Sequence, residues 1–406
     1  MRFRSSRLVP SILASMVLLL SGCAALSGVT TGPLIDRHVP QDYSGVVAVR
    51  EHAGATLVAR GSGLAVREVA QANTQDTRFM IGSITKWVSA VTVLRLVDMG
   101  KLDLDAPIAR QLPELPAATG AVTLRQLLTN RSGIPNGLSN ALRKDASLGK
   151  LDIGPVAAAL RFGTGALEAG PGEKWDYSVT NWILVAAVVE RANKKPFTET
   201  VEELVLAPAG VRDTSFASPD DEDAVGMAVA YGASGARKLS PAPPMVAASG
   251  TLVSTARDLV ALADAVYGPK LLSDKSRQAL SAIQVASEDY AIGGRVKTVA
   301  TKQGARTLAW ESGAMGGYKT LLAYDPGNGR AVVLLTIRTC SSRSRPGLPS
   351  PCSATCKTPL ADVTVAFAGP ARATSAPADA PPASRRPARR YAPHCRYADT
   401  GSPPTG

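Results

Sequence analysis

The feature that most limits the fold is the placement of strand-like segments at both ends of one long stretch. Gly45-Val-Val-Ala-Val-Arg50 and Thr56-Leu-Val-Ala-Arg60 flank Gly54, which is a hairpin signal. Lys319-Thr-Leu-Leu-Ala-Tyr324 and Arg330-Ala-Val-Val-Leu-Leu335 flank Asp325-Pro-Gly-Asn-Gly329, a second and stronger one. Between them the pattern turns helical. Ser83–Met99 carries apolar residues at Val88, Val91, Leu94 and Val97, with Gly100 as a stop. Leu124–Leu128, Trp182–Arg191 and Thr255–Tyr267 follow, the last with Ser254 or Thr255 as N-cap. Strands far apart in sequence with helices between them imply an α/β protein of the α+β kind. The sheet draws on both ends of the stretch, with a helical region inserted.

At 406 residues the chain suits one large domain or two interleaved ones, and 45% hydrophobic against 19% charged residues suits a globular enzyme. The net charge of +12 is concentrated at the ends. Arg2, Arg4 and Arg7 open the chain, and nine Lys/Arg against three Asp/Glu follow Arg338. The middle keeps about +3, with no basic stripe interleaved with aromatics, so no nucleic-acid partner is expected.

Three arginines, an apolar run Leu8–Leu20 and then Leu20-Ser21-Gly22-Cys23 read as a signal peptide over residues 1–22 ending at a lipoprotein cleavage box. A lipidated Cys23 would tether an exported protein to a membrane through acyl chains, with residues 23–40 as a linker. With Ala24 next, lipoprotein sorting implies the periplasmic face of the outer membrane in a Gram-negative host. The other cysteines, Cys340, Cys352, Cys356 and Cys395, all lie near the C-terminus, so the middle of the chain must be held by its core.

The enzyme-like domain is read as 41–338. From Thr339 the composition changes abruptly, with twelve of the 29 prolines and runs such as Ser384-Arg-Arg-Pro-Ala-Arg-Arg390. Residues 339–406 read as a low-complexity tail, disordered or produced by a reading-frame shift.

Ser83-Ile84-Thr85-Lys86 opens the most apolar helix. Residues three apart share a helix face, so the Lys86 amine reaches the Ser83 hydroxyl. The N–H groups at a helix start are free, and that of Ser83 can form half an oxyanion hole. A lysine desolvated against an apolar face can lose its proton and act as a base. Spacing alone is weak, since average composition predicts about one Ser-x-x-Lys by chance in a chain this long. Ser147-Leu-Gly-Lys150 is a second copy, read as a loop because no apolar helix follows it.

The surroundings supply the specificity. Thr77-Arg-Phe-Met-Ile-Gly-Ser83-Ile-Thr-Lys86 is followed by Leu96-Val-Asp-Met-Gly-Lys-Leu-Asp-Leu-Asp105. Then come Leu127-Leu-Thr-Asn-Arg-Ser-Gly133, Pro171-Gly-Glu-Lys-Trp-Asp-Tyr177-Ser, Ala248-Ser-Gly-Thr-Leu-Val-Ser-Thr-Ala-Arg-Asp258 and Trp310-Glu-Ser-Gly-Ala-Met-Gly-Gly-Tyr318. In this order, from about Tyr43 to Thr336, they resemble the serine beta-lactamase-related family, which includes class C beta-lactamases, D-alanyl-D-alanine carboxypeptidases, D-aminopeptidases and esterases.

The resemblance implies a beta-lactamase/transpeptidase-like fold, an antiparallel sheet flanked by helices with an inserted mainly helical subdomain, and an acyl-enzyme mechanism. Ser83 would be the nucleophile, Lys86 and Tyr177 would move the proton, and the Ala314 N–H would complete the oxyanion hole with Ser83. No metal or cofactor is expected. A phenol beside an ammonium ionises more easily than its usual pKa near 10 suggests, which suits Tyr177.

Two positions depart from the family. Val179 stands where it has Asn, and Glu311-Ser312-Gly313 stands where a motif opening on His or Lys is usual. Both lost groups bind substrate in the family. A glutamate facing the substrate would repel its carboxylate. Alternatively, Glu311 is a solvated charge at a strand end.

These residues predict a serine hydrolase acting on small esters, D-amino-acid amides or peptidoglycan-type peptides, with weak or no beta-lactamase activity. The rival is a non-catalytic penicillin-binding-like lipoprotein that binds cell-wall fragments. His38, His52 and His394 form no triad or metal spacing, and no Gly-x-Ser-x-Gly elbow or phosphate-binding glycine loop is present.

Overall fold

The computed structural model describes residues 43–337 apart from 219–225, 233, 239–241 and 302–303, with Gly32, Ile35 and Val39 ahead of them. The signal segment 1–22, Cys23 and the tail 339–406 lie outside the described residues, as does most of the linker 23–40.

Eleven strands are described. They are β1 (Gly45–Arg50), β2 (Val58–Ser62), β3 (Leu64–Val66), β4 (Gln71–Ala72), β5 (Phe79–Met80), β6 (Ser215–Phe216), β7 (Leu252–Ser254), β8 (Arg295–Thr301), β9 (Gly304–Met315), β10 (Tyr318–Tyr324) and β11 (Ala331–Ile337). Six form one antiparallel sheet in the order β2-β1-β11-β10-β9-β8. The first strand lies against the last, with Gly45 opposite Thr336 and Arg50 opposite Ala331. Both expected hairpins form. The second strand of the first hairpin starts at Val58 rather than Thr56, because residues after Arg50 form a longer turn in which the Ala53 N–H binds the Asn328 carbonyl at 2.7 Å.

Side chains alternate across the sheet as its pleat requires. Val46, Ala48, Leu322, Tyr324, Val333 and Leu335 join the main core. Leu308, Leu321, Ala323 and Val332 form a second, smaller cluster with Val299. The helix Ala256–Tyr267 starts at an N-cap where Thr255 Oγ accepts from the Asp258 N–H. Its Tyr267 stacks on Tyr324 at 5.4 Å and on Trp87 at 6.0 Å. Asp264 on the same helix takes both ends of the Arg50 guanidinium and the Tyr324 hydroxyl, tying helix to sheet.

The helix Ile84–Asp98 is buried almost all round, from Ile84 through Leu94. Each large apolar side chain so buried contributes about 1.5–3 kcal/mol. Its buried serine and threonine hydroxyls find partners: Ser89 Oγ bonds to the Thr85 and Ala248 carbonyls, and Thr92 Oγ1 donates to that of Val88. Gly100, at φ +69°, ends the helix as read from the sequence.

The inserted region carries the helices Leu124–Leu128, Gly137–Lys144, Pro155–Phe162 and Val179–Asn193 among shorter turns. The second Ser-x-x-Lys lies in a short 3-10 turn, Ala146–Lys150, where exposed Ser147 bonds to Asp145. Several elements escaped the sequence reading, β8 and β9 of the main sheet and the helices Gly137–Lys144 and Pro155–Phe162 among them. β5, β7 and β6 form a three-stranded sheet, each strand too short to show a period. It delivers the chain to Ser83. Among the described residues no helix is long and apolar enough to cross a membrane.

Candidate active site

Ser83 stands at the mouth of the Ile84–Asp98 helix, directly after β5, Ile81 and Gly82. Several hydrogen bonds hold this turn. The Ile81 N–H binds the Leu252 carbonyl at 2.8 Å, Thr320 Oγ1 donates to the Ile81 carbonyl at 2.8 Å, and the Leu252 N–H binds Thr85 Oγ1 at 3.2 Å.

β9 runs in beside it at backbone contact. A Cβ on Gly313 would stand 1.9 Å from the Ile81 carbonyl oxygen, and one on Gly82 would stand 2.7 Å from the Ala314 nitrogen. Gly82 also has φ +55°, a conformation that costs an L-residue energy. Glycine at both places therefore lets the third motif close on the nucleophile turn. Ser312 is half-buried, Gly313 buried and Ala314 exposed.

Lys86 lies one helical turn below Ser83, 3% exposed. Its Nζ is 3.2 Å from Ser83 Oγ and 2.5 Å from the Ser249 carbonyl oxygen. Burial drives its pKa down to about 7, with Glu311 pulling it up and Arg295 pushing it down. Tyr177 covers the same amine, with its ring centroid 5.1 Å from Nζ, and the buried Trp182 ring is 6.0 Å away. The structure thus brings Ser83, Lys86 and Tyr177 together.

Tyr177 is held by two loops that lock together. The Asp176 N–H binds the Asn130 carbonyl at 2.8 Å and the Gly172 N–H that of Arg131 at 2.7 Å. A Cβ on Gly133 would meet the Ala169 carbonyl oxygen at 2.0 Å. The sequence stretches ending in Ser132-Gly133 and Tyr177 are therefore two halves of one support. Trp175 packs between Tyr177 and Tyr290, at 6.0 and 6.1 Å.

Asn181 does not stand in for the asparagine missing at Val179. It is 1% exposed, its Oδ1 accepts from Ser132 Oγ at 2.7 Å and its Nδ2 donates to Asn130 Oδ1 at 3.4 Å. It fastens the support loop to the Val179–Asn193 helix.

Glu311 departs from both sequence-based expectations. It is neither a solvated strand-end charge nor a group open to a substrate: it is 4% exposed, and Arg295 Nη1 on β8 lies 3.0 Å from its Oε1. The expected repulsion of a substrate carboxylate fails with it, because the neighbouring guanidinium neutralises the charge. Burial pushes its carboxyl above the ordinary range against the pull of Arg295, the Ser312 N–H and Lys86.

Sequence reasoning missed the Ser249 carbonyl, Trp182 and Arg295. Ser249 lay inside a stretch matched to the family, but a backbone acceptor leaves no trace in residue type. Arg295 showed no signal because its partner is sixteen residues away on the next strand. Among the described residues no cluster of three or more His, Cys, Asp or Glu could hold a metal ion.

The beta-lactamase family model matches residues 34–348. Esterase EstB of Burkholderia gladioli is 36% identical over 190 residues, which are 44% of this chain and 48% of the esterase. The chain spans about half the length of the curated relatives it matches. Among solved structures, a penicillin-binding protein from Bacillus halodurans superposes with a TM-score of 0.65 at 24% identity, covering 76% of this chain and 94% of that one. A D-amino acid amidase from Ochrobactrum anthropi SV3 gives 0.62 at 23%, covering 76% and 91%. These two likenesses concern the fold. The chain belongs to the beta-lactamase family, with the beta-lactamase/transpeptidase-like architecture that its motifs implied.

Proposed function

We propose that this protein is a serine hydrolase that works through an acyl-enzyme. The observation that carries the reading is Lys86: buried, drawn down to about 7, and 3.2 Å from Ser83 Oγ. A lysine that is substantially neutral near pH 7 can take a proton; an ordinary one cannot.

The Ser83 hydroxyl gives its proton to Lys86 as Oγ bonds to the substrate carbonyl carbon. The oxygen that gains charge is met by the N–H groups of Ser83 and Ala314. Tyr177 passes the proton to the leaving group as its bond to carbon breaks. Water then attacks the acyl-Ser83 ester and restores the hydroxyl. Ser312 and Gly313 lie where β9 runs past the end of β8, and the substrate lies along this stretch. No step calls for a metal or cofactor.

Small esters, D-amino-acid amides and peptidoglycan-type peptides are the proposed substrates. EstB is named an esterase, which supports the first class. Beta-lactam turnover is expected to be weak or absent, because Val179 supplies no amide contact and Glu311 is no cation. We place the protein on a membrane through lipidated Cys23; Cys23→Ala should move it from the membrane to the soluble fraction.

The test is a fluorophosphonate probe and a p-nitrophenyl ester applied to the protein beside Ser83→Ala. Labelling and hydrolysis should vanish in the variant. Equal signal from both proteins would sink the enzyme reading in favour of a non-catalytic penicillin-binding-like lipoprotein. A chromogenic cephalosporin, run in parallel, should show little turnover.

A further inference from the structure

The mechanism above leaves one buried charge pair unused. Arg295 on β8 and Glu311 on β9 meet at 3.0 Å, with their side chains 17% and 5% exposed. Glu311 Oε1 also accepts the Ser312 N–H at 3.0 Å. Glu311 Oε2 is buried without a hydrogen-bond partner. A buried polar atom left in this state is costly unless its charge interacts with something else.

What it faces is the helix of Ser83 and Lys86. Glu311 lines a cavity of about 10 Å³ together with Gly294, Arg295 and Trp87, the residue after Lys86. The Gly293–Gly294 backbone is the spacer. A Cβ on Gly294 would stand 3.5 Å from the Trp87 ring and 3.8 Å from Glu311 Oε2. One on Gly293, at φ +71°, would stand 3.0 Å from the Lys86 carbonyl oxygen and 3.3 Å from the Trp182 ring. At Gly293 only glycine fits, since a Cβ there would also stand 2.4 Å from the Ala90 Cβ, whereas a Cβ on Gly294 would make ordinary contacts.

The charged and titratable groups around Lys86 are then few. Tyr177 faces it from the loop before the Val179–Asn193 helix, Glu311 from β9 and Arg295 from β8. The Ala247–Gly250 turn presents the Ser249 carbonyl. Tyr290 and Tyr267 face Glu311 in turn.

We propose that Glu311 and Arg295 are positioning residues that together set the protonation state in which Lys86 meets Ser83. Glu311 alone would hold Lys86 as an ammonium, unable to accept a proton. Arg295 opposes that pull, so the pair raises Lys86 less than Glu311 would alone. This accounts for a carboxylate and a guanidinium both being retained in a place where an apolar pair would pack at lower cost. It is consistent with Gly293, which lets the turn before Arg295 pack against the Lys86 helix. The inference rests on the hydrolase reading and deepens it.

The experiment follows the acid limb of fluorophosphonate labelling and of ester kcat/KM against pH, in wild type, Glu311→Gln, Arg295→Met and Arg295→Lys. The wild-type limb should fall near pH 7. Glu311→Gln removes the anion and leaves the cation, so its limb should move down by about one pH unit. Arg295→Met removes the cation, so its limb should move up by about one unit. Arg295→Lys keeps the charge and should leave the limb within about 0.3 unit of wild type. Purely structural damage lowers rates without moving limbs in opposite directions. Limbs that stay put, or that move the same way in Glu311→Gln and Arg295→Met, overturn the proposal. Should Glu311→Gln fail to fold, Arg295→Met against Arg295→Lys decides: an upward move in the first alone supports the pair, and equal limbs reject it. A wild type that neither labels nor hydrolyses refutes the hydrolase reading instead.

Discussion

Gly82 and Ala314 approach so closely that a side chain on the first would stand 2.7 Å from the backbone nitrogen of the second. That contact joins the Ser83 turn to the strand carrying Ala314, the proposed second oxyanion donor. Gly82→Ala must either strain a residue held at φ +55° or push β9 away. It should cost about 1–2 kcal/mol of stability. The displaced donor should lower ester kcat about 100-fold. Thermal denaturation and steady-state kinetics separate the two effects; an unchanged kcat would remove Ala314 from the oxyanion hole.

Lys86 should weaken the fold that it serves. Its pKa is lowered from 10.5 to about 7 by burial. Above pH 10.5 it is neutral whether folded or unfolded, and its linkage term is zero. As the pH falls towards 7 the unfolded chain gains a proton that the folded one refuses, so stability drops across that window and stays low below it. Lys86→Met should therefore stabilise the protein at pH 7, by about 3 kcal/mol after loss of its hydrogen bonds, and the gain should fade towards pH 10. Hydrolysis should fall about 1,000-fold or more. Denaturant titrations at pH 7 and pH 10 check the sign.

Tyr177 sits over the Lys86 amine rather than in the core, which gives its hydroxyl a separable role. Tyr177→Phe keeps the ring and its stacking on Trp175. Ester kcat should fall about 100-fold with KM changed less than about threefold, as expected for a lost proton donor. An unaltered kcat would leave Tyr177 as a packing residue.

Asn181 makes the opposite prediction. It bonds Ser132 and Asn130 inside the support, away from Ser83. Asn181→Ala should destabilise the protein by about 2 kcal/mol. KM for a small ester should stay within about twofold once the protein is kept cold enough to remain folded. A large rise in KM at full folding would mean that Asn181 contacts substrate after all.

Four strands of the main sheet were legible. Gly45–Arg50 and the hairpin around Asp325–Gly329 carry enough apolar residues and turn residues to declare themselves, and their positions at the two ends of the stretch pointed to one shared sheet. β8 and the longer β9 did not, since polar and charged residues interrupt their apolar ones. The Ser83 helix was plain, down to its glycine stop. The β5-β7-β6 sheet was not, since two or three residues show no period. Glu311 was read for the wrong surroundings: residue type announced a charge, while its burial and its guanidinium partner depend on how β8 and β9 align.

By itself, then, the sequence determined the family, four strands of the main sheet and the pairing of a serine with a lysine on one helical turn, because each depends on residues close together along the chain. The tertiary structure alone decided that this lysine is buried, that the Ser249 carbonyl and Tyr177 enclose it, and that Glu311 answers to Arg295. Those are matters of desolvation and of charges meeting across strands and loops, and they arise only when distant segments are packed against each other.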